Sequence, residues 1–220
     1  MISINVSGEF KSLCPDFAGA AILAKVVNTP YCEPLWREIN SISEQYKQTG
    51  VIEEIKKHPA IEATRMAYKR FGKDPNRYRP SAEALCRRIL RDIPLYQIDT
   101  LVDIINLVSI KTGYSIGGFD VDKISGNVLT LGVGTTGEPY EGIGKGLLNI
   151  EGLPVYRDKV GGIGTPTSDN ERTKISVETK YLLAIINGYD GPEGLPGAVQ
   201  YMQSLLQQYA SSDGGDVFYF

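Results

Sequence analysis

The sequence predicts an α+β fold, with helices mainly in the N-terminal half and a mixed or antiparallel sheet mainly in the C-terminal half. Helical periodicity dominates residues 34–110, and short apolar runs separated by glycines dominate the rest. Strands and helices do not alternate strictly, so a doubly wound parallel sheet is not indicated. With 220 residues, 42% of them hydrophobic and 22% charged, the chain is expected to form one domain over 1–220.

The N-terminal region predicts two strands. Residues 2–6 alternate between apolar and polar side chains, as a half-buried strand does. Residues 18–28 form a short apolar run bounded by Pro15 and Pro30. The valines and isoleucine of this run favour a buried strand, although its alanines also suit a helix.

Two amphipathic helices are predicted next. Apolar residues recur at intervals of three and four over 34–57, with charged residues on the opposite face, and Gly50 interrupts the pattern. A second helix covers 60–69 and ends before Gly72.

Two further helices follow a loop that contains two prolines. Ser81 is expected to be the N-cap of the first, which Pro94 closes. The second covers 98–110, with Asp99 or Thr100 as its cap. This segment is so strongly apolar that we expect it to lie in the core.

Beyond residue 113 the sequence is mainly of β type. The runs 128–134 and 152–158 are typical of short strands between glycine-rich turns. A last helix is predicted over 198–209, and the glycine-rich tail 211–220 either frays or docks as a final strand.

The charge balance excludes a protein that binds nucleic acid through a broad positive surface. Lys and Arg total 23 against 26 Asp and Glu, which gives a net charge of −3. We expect no DNA partner, and any RNA contact must be local. The most basic stretch is 65–91, in which Arg79, Arg87 and Arg88 are the candidate RNA-binding residues. A solvated helical face is the more common interpretation of such a run.

Metal, cofactor and membrane chemistry are not indicated. The three cysteines lack metal-ligand spacing, and His58 is the only histidine. We therefore predict no metal, no cofactor and no side-chain triad built on histidine. No apolar run approaches the ~20 residues of a membrane span, and no secretory leader is evident. These features predict a cytoplasmic protein with reduced thiols.

Two glycine-rich segments and one polar helix position are candidate site features. Residues 132–139 lack the Lys-Ser/Thr ending of a phosphate-binding loop, and turn glycines explain them. Residues 161–169 suit either a ligand-binding loop or a plain hairpin. On the helix, Asp103 and Asn106 are three residues apart, which predicts a structural polar network on one face.

The segment 87–126 has a specific pattern of residues. Val102-Asp103 and Asn106 precede Gly113, and Phe119-Asp120, Asp122 and Gly126 follow in order. This pattern resembles the B3/B4 domain of the bacterial phenylalanyl-tRNA synthetase β subunit. The resemblance spans roughly residues 60–190, without an aminoacylation core, so the chain resembles a free-standing B3/B4 protein.

In that family the domain carries an editing pocket that hydrolyses tyrosine esterified to the phenylalanine tRNA. The resemblance implies that Glu178 ends a strand after the glycine-rich loop and reads the tyrosine hydroxyl. A carboxylate left without that hydroxyl is desolvated and unpaired, which gives discrimination of ~1–3 kcal/mol. The implied substrate-binding residues are Glu178, Gly117, Gly118, Gly161, Gly162, Gly164 and Asn106.

The sequence departs from the family pattern at two places. The family has a histidine just before its Phe-Asp, where this chain has Gly117-Gly118, and the family's downstream Thr-x-Ala element has no counterpart after Gly188. Hydrolysis would then depend on a positioned water and on backbone donors of the 161–164 glycines. No catalytic side chain is assigned.

Three functions remain open from the sequence. The first is recognition of an aminoacyl group or aminoacyl-tRNA, with trans-editing deacylation of mischarged tRNA as its enzymatic form. The second is a non-catalytic module that binds RNA or an amino-acid-like small ligand, having kept the scaffold and lost the chemistry. The third is a protein interaction domain. The sequence does not fix the amino acid, the tRNA or the oligomeric state.

Overall fold

The structure, a computed structural model, describes residues 2–220. This part of the chain contains six α-helices: α1 Gly8–Leu13, α2 Glu33–Thr49, α3 Pro59–Arg70, α4 Ser81–Leu90, α5 Thr100–Thr112 and α6 Leu195–Tyr209. It also contains eleven strands: β1 Ser3–Val6, β2 Ala18–Lys25, β3 Ile116–Asp120, β4 Val128–Val133, β5 Glu141–Gly142, β6 Gly146–Leu147, β7 Pro154–Arg157, β8 Gly162–Thr165, β9 Ser168–Asp169, β10 Tyr181–Gly188 and β11 Asp216–Tyr219.

The strands form two main sheets and one small hairpin. A four-stranded antiparallel sheet has the order β11-β2-β10-β3. A five-stranded sheet has the order β1-β4-β7-β8-β9, in which β1 pairs parallel to β4 and the other pairs are antiparallel. Strands β5 and β6 form the separate hairpin.

The four-stranded sheet lies at the centre because both of its faces are covered. Ile22 and Leu182 face a cluster that includes residues of α5 and α6, while Leu183 and Ile185 face a cluster shared with β4 and β7. Alternate residues of a strand point to opposite faces, so a strand buried on both sides is apolar throughout. This explains the continuous apolar runs of β2 and β10.

Helix α5 fills the core between the sheet and the other helices. Asp99 caps its N-terminus by accepting a hydrogen bond from the Val102 N–H at 2.9 Å, and Gly113 ends it in the left-handed conformation with φ 76°. Its apolar side chains, among them Leu101 and Ile104, are fully buried. The helix is therefore a rigid support for any site beside it.

The predicted α+β class is confirmed, with the helices mainly N-terminal and the strands mainly C-terminal. The tail forms a strand, β11, on the edge of the central sheet. Helix α1 was not predicted; the Ser7 side chain caps it by accepting from the Phe10 N–H at 3.2 Å. The Ser7-Gly8 pair thus starts a helix.

The predicted cap of α4 is corrected by the structure. Pro80 is the N-cap, and Ser81 is the first helical residue. The Ser81 N–H donates to the Pro166 carbonyl at 2.9 Å, so the helix start is fixed by the turn between β8 and β9. A tertiary contact therefore replaces the expected side-chain cap.

None of the helices within residues 2–220 combines the length and apolar character needed to cross a bilayer. Across the same residues, no three His, Cys, Asp or Glu side chains are grouped as metal ligands.

Candidate functional site

A cavity of about 330 Å³ lies between α5, β3 and the β8–β9 hairpin. Most of its wall is aliphatic, and a few polar groups converge on it, a composition that is typical of small-molecule sites. The lining residues are Ser81, Ile98, Val102, Ile105, Asn106, Ser109, Ile116, Gly118, Ile143, Thr165, Ser168, Asp169, Lys174 and Ile175.

Asn106 presents an amide to this cavity from the buried helix α5. The residue is half-buried, and within residues 2–220 its side chain makes no hydrogen bond. Both the donor and the acceptor of the amide are therefore available to a ligand.

The predicted network between Asp103 and Asn106 is not formed among the described residues. Asp103 instead accepts a hydrogen bond from Trp36 Nε1 at 2.6 Å. Burial raises the pKa of Asp103 to about 6, although the Trp36 bond opposes that shift. Asp103 thus joins α5 to α2, and Asn106 is left for the cavity.

Asp169 is the acidic side chain of the cavity. It ends β9, and its carboxylate accepts a hydrogen bond from the backbone N–H of Gly118 at 3.0 Å. Although the residue as a whole is only half-buried, its carboxyl group is desolvated. This burial raises the pKa of Asp169 to about 7, opposed by the Gly118 bond and by the charge of Lys145.

Glycines leave the space that the Asp169 carboxylate occupies. A Cβ on Gly164 would lie 2.9 Å from Asp169 Oδ1, and a Cβ on Gly117 would lie 3.3 Å from it. The Cβ at Gly164 would also lie 2.4 Å from Phe119 Cζ, and the Cβ at Gly117 would lie 2.8 Å from the same atom. Gly117 belongs to the Gly117-Gly118 pair that stands where the resembled family has a histidine, and Phe119 and Asp169 occupy the space beside Gly117.

The other two predicted glycines lie elsewhere. Gly162 packs against the ring of Tyr140, 2.8 Å from the position of a Cβ. Gly161 borders a separate groove with Glu138 and Arg157, and its N–H donates to Asp158 Oδ1 at 3.1 Å. The structure therefore places Asn106 and Gly118 on the cavity wall, and it packs Gly117 and Gly164 against Phe119 and Asp169. Gly161 and Gly162 lie apart from them.

Glu178 is not among the residues that line the cavity. The segment that was expected to be a strand ending in Glu178 instead forms a 3-10 turn, Glu171–Thr173, and a second turn at 177–178. Glu178 is exposed there, and the strand β10 begins only at Tyr181. The expected sharing of one concavity by Glu178 and the glycine-rich loop is corrected accordingly.

The predicted RNA-binding arginines are largely engaged within the protein. Glu83 has a side chain 0% exposed, and it pairs with Arg65 at 2.7 Å, Arg87 at 2.8 Å and Arg79 at 3.6 Å. Of these cations, Arg79 is the most exposed, at 35%. The cluster carries two net positive charges, since three guanidinium groups surround one carboxylate.

Arg88 makes a different set of contacts. Its Nε donates to the Pro94 carbonyl at 2.9 Å, and its guanidinium lies 4.1 Å from the centre of the Tyr96 ring. The arginine thereby fixes the loop between α4 and α5. The role of these arginines as RNA ligands stays a prediction.

Sequence reasoning missed Asp169, the residue with the most perturbed chemistry in the cavity. Its signal was available, because Asp169 is the last residue of the glycine-rich segment 161–169. The sequence left two interpretations of that segment open, a ligand-binding loop and a plain hairpin, and the segment combines them. It forms a β8–β9 hairpin, and Thr165, Ser168 and Asp169 of that hairpin line the cavity.

The same fold occurs in a solved structure. An N-terminal fragment of the phenylalanyl-tRNA synthetase β subunit from Pyrococcus horikoshii is similar, with a TM-score of 0.51 and 15% sequence identity. The match covers 98% of this chain and 50% of that chain, so this chain spans about half the length of the synthetase fragment. At this identity the likeness concerns the fold. A search of curated proteins finds no match.

A family profile described as the B3/4 domain matches residues 63–210. The matched range is more than half of the chain, and it contains each residue that lines the cavity. The resemblance seen in the motif around Val102, Asp103 and Asn106 is thereby confirmed. The chain belongs to the B3/4 domain family.

Proposed function

We propose that this protein recognises an aminoacyl group, carried by tRNA, in the cavity beside Asn106 and Asp169. The observation that carries the proposal is the cavity itself, a mainly aliphatic hollow of about 330 Å³ whose polar lining includes Asn106 and Asp169. Ligand sites commonly have volumes of ~300–1,000 Å³, so this cavity suits an amino-acid-sized group. Its place in a B3/4 domain, in a fold shared with a synthetase β-subunit fragment, favours an aminoacyl ligand.

Binding is better supported than hydrolysis. Among the 161–164 backbone donors expected to stabilise an oxyanion, the Gly161 N–H donates to Asp158 at 3.1 Å, and Gly161 borders a groove separate from the cavity. An oxyanion hole requires donors aimed at the position of the developing charge. A recognition module is therefore the first candidate function.

Deacylation of mischarged tRNA is the second candidate. It is favoured by one observation, the carboxyl group of Asp169, whose pKa burial raises to about 7. A general base works best when its pKa lies near the working pH, and Asp169 could then activate a water. No side-chain nucleophile is needed in that mechanism.

The RNA portion of the ligand is proposed to pass over Arg79. Ser81 lines the cavity and lies two residues from Arg79, whose guanidinium is partly exposed beside Glu83. Arg87 and Arg88 would add positive charge along the same helix, α4. With aminoacyl-tRNA as its ligand, the protein is proposed to act in the cytoplasm.

One assay separates the two candidates. Purified protein is incubated with charged tRNA, and the rate of ester loss is followed over a range of protein concentrations. A binding module slows the spontaneous loss of the ester in a saturable way, whereas a deacylase accelerates it. Equal affinity for charged and uncharged tRNA would contradict recognition of the aminoacyl group.

Two variants locate the site in the same assay. Asn106→Ala removes a cavity amide and is expected to weaken binding of charged tRNA about tenfold, or 1.4 kcal/mol. Glu178→Ala removes an exposed carboxylate outside the cavity and is expected to leave binding unchanged. The reverse result would place the ligand at the turn 177–178 and refute the cavity as its site.

A further inference from the structure

We infer that Asp169 selects ligands that carry a free ammonium group, so that the cavity takes an α-aminoacyl group and rejects its N-acylated form. The inference rests on the proposed function and specifies which part of the ligand Asp169 contacts. In this role the Asp169 carboxylate binds the ammonium group of the ligand and does not activate a water.

The carboxylate of Asp169 has unused hydrogen-bonding capacity. An ionised carboxylate offers about four acceptor sites, and within residues 2–220 Asp169 accepts one hydrogen bond, from Gly118. No cationic side chain of that part of the chain lies within 4.0 Å of it. A ligand with several N–H donors therefore finds open acceptors.

The nearby cations are engaged elsewhere. Lys145, on the β5–β6 hairpin, donates its Nζ–H to the Thr167 carbonyl at 3.1 Å. Lys174, on the cavity wall, forms an ion pair with Glu171. The hydroxyl of Tyr140 donates to the Ser168 carbonyl of β9 at 2.7 Å. The charge of Asp169 is thus left without a partner in direct contact.

Such an unpaired charge is unusual in a desolvated position. Burying a carboxylate without a cation is costly, which is why burial raises the pKa of Asp169. A ligand ammonium would provide the absent charge and donors together. Gly117 and Gly164 lack the Cβ atoms that would lie 3.3 Å and 2.9 Å from Asp169 Oδ1, so no side chain at these two positions displaces the carboxylate.

The rest of the cavity determines what accompanies the ammonium. Ile105, Ile116 and Ile175 form an aliphatic wall, while Asn106 offers an amide to the carbonyl or ester oxygen. An apolar substituent buried on that wall gains about 25 cal/mol for each Å² removed from water. The expected ligand is therefore an α-aminoacyl group with an apolar side chain.

The test compares charged tRNA before and after acetylation of the amino group. Total tRNA charged with a mixture of amino acids is the first probe, and the same sample treated with acetic anhydride is the second. Wild-type protein is expected to bind the free-amine form at least about tenfold more tightly, which corresponds to 1.4 kcal/mol.

Asp169→Asn is the matched variant, since its side-chain oxygen still accepts from the Gly118 N–H. It is expected to bind both probes equally, with the affinity of the wild type for the acetylated form. Lys145→Met is the second variant. It removes a positive charge near the ligand and is expected to increase the preference for the free amine.

The outcomes distinguish the inference from the proposed function. If wild-type protein binds neither probe, the proposed function fails and the inference falls with it. If it binds both probes equally, aminoacyl-tRNA recognition stands and the inference about Asp169 is refuted. The inference is also refuted if Asp169→Asn lowers the affinity for both probes by the same factor, provided that thermal unfolding shows the variant to be folded.

Discussion

The carboxylate of Asp169 accepts a hydrogen bond from the backbone N–H of Gly118 at 3.0 Å, across 51 residues of sequence. This bond joins the end of β9 to the edge of β3 and closes one side of the cavity. The bond uses Oδ2 of the carboxylate, and Oδ1 makes no hydrogen bond within residues 2–220. The site therefore depends on a contact between the central sheet and a hairpin of the second sheet.

Gly118→Ala is expected to block the cavity more than it destabilises the fold. A Cβ there would lie 2.4 Å from Ile105 Cδ1 and 2.8 Å from Ile175 Cδ1, two flexible side-chain ends that line the cavity. Displacing them costs about 1 kcal/mol of the free energy of unfolding, the low end of overpacking effects. Ligand affinity should fall at least tenfold, measured with charged tRNA.

Gly197→Ala is the control for this substitution. Gly197 lies in α6, and apart from its chain neighbours and the adjacent backbone of that helix no atom lies within 4 Å of an added Cβ. Alanine should raise the free energy of unfolding by a few tenths of a kcal/mol to about 1 kcal/mol in urea denaturation. A Gly118→Ala protein that binds charged tRNA with wild-type affinity would contradict the predicted role of this glycine.

Glu83→Gln is expected to destabilise the protein strongly. The side chain of Glu83 is 0% exposed, and it is the common ion-pair partner of Arg65, Arg79 and Arg87. Removing one partner from a buried ion cluster typically costs about 3–5 kcal/mol, because the remaining charges stay desolvated. Chemical denaturation at neutral pH measures this loss.

The matched control is Glu54→Gln. Glu54 forms an exposed pair with Lys57, with side chains 56% and 61% exposed. Such a pair contributes at most about 1 kcal/mol, so the variant should unfold almost as the wild type does. Equal effects of the two substitutions would show that the Glu83 cluster has no special structural role.

Arg79→Ala is expected to weaken tRNA binding without much loss of stability. Of the three arginines that pair with Glu83, Arg79 is the most exposed and the most distant, at 3.6 Å. If it contacts one phosphate, the slope of log affinity against log salt should fall by about 0.7–0.9. Arg37→Ala, which removes an exposed arginine of α2, should leave that slope unchanged. An unaltered slope for Arg79→Ala would exclude this contact.

Asp103 is expected to make stability depend on pH below neutrality. Burial raises its folded-state pKa to about 6 from 3.8, so between these values the native protein holds a proton that the unfolded chain releases. Stability therefore falls as pH rises from about 4 to about 6 and is constant above that range. Because the pKa of Asp169 is raised to about 7, its titration also lowers stability as the pH rises, up to about pH 7.

Asp103→Asn isolates the contribution of Asp103. The amide oxygen still accepts from Trp36 Nε1, but the group no longer titrates. The difference in unfolding free energy between variant and wild type should increase from pH 4 to pH 6 and then stay level. A difference that is independent of pH would contradict the raised pKa.

Much of the fold follows from the sequence because its signals are local. The alternation in β1, the apolar run of β2 and the three- and four-residue periodicity of α2 and α3 depend only on neighbouring residues. The family is also visible in the sequence, since the ordered residues from Val102 to Gly126 form one contiguous pattern.

The site was decided by the tertiary structure. The family resemblance implied that Glu178 shares a site with the glycine-rich loop, whereas the fold puts Glu178 in an exposed turn and brings Asp169 to Gly118. The sequence likewise showed the arginine-rich run, but it did not show that Glu83 is buried among those arginines. Desolvation and charge pairing depend on atoms that are distant along the chain, and for this reason only the packed structure sets which carboxylate is chemically distinctive.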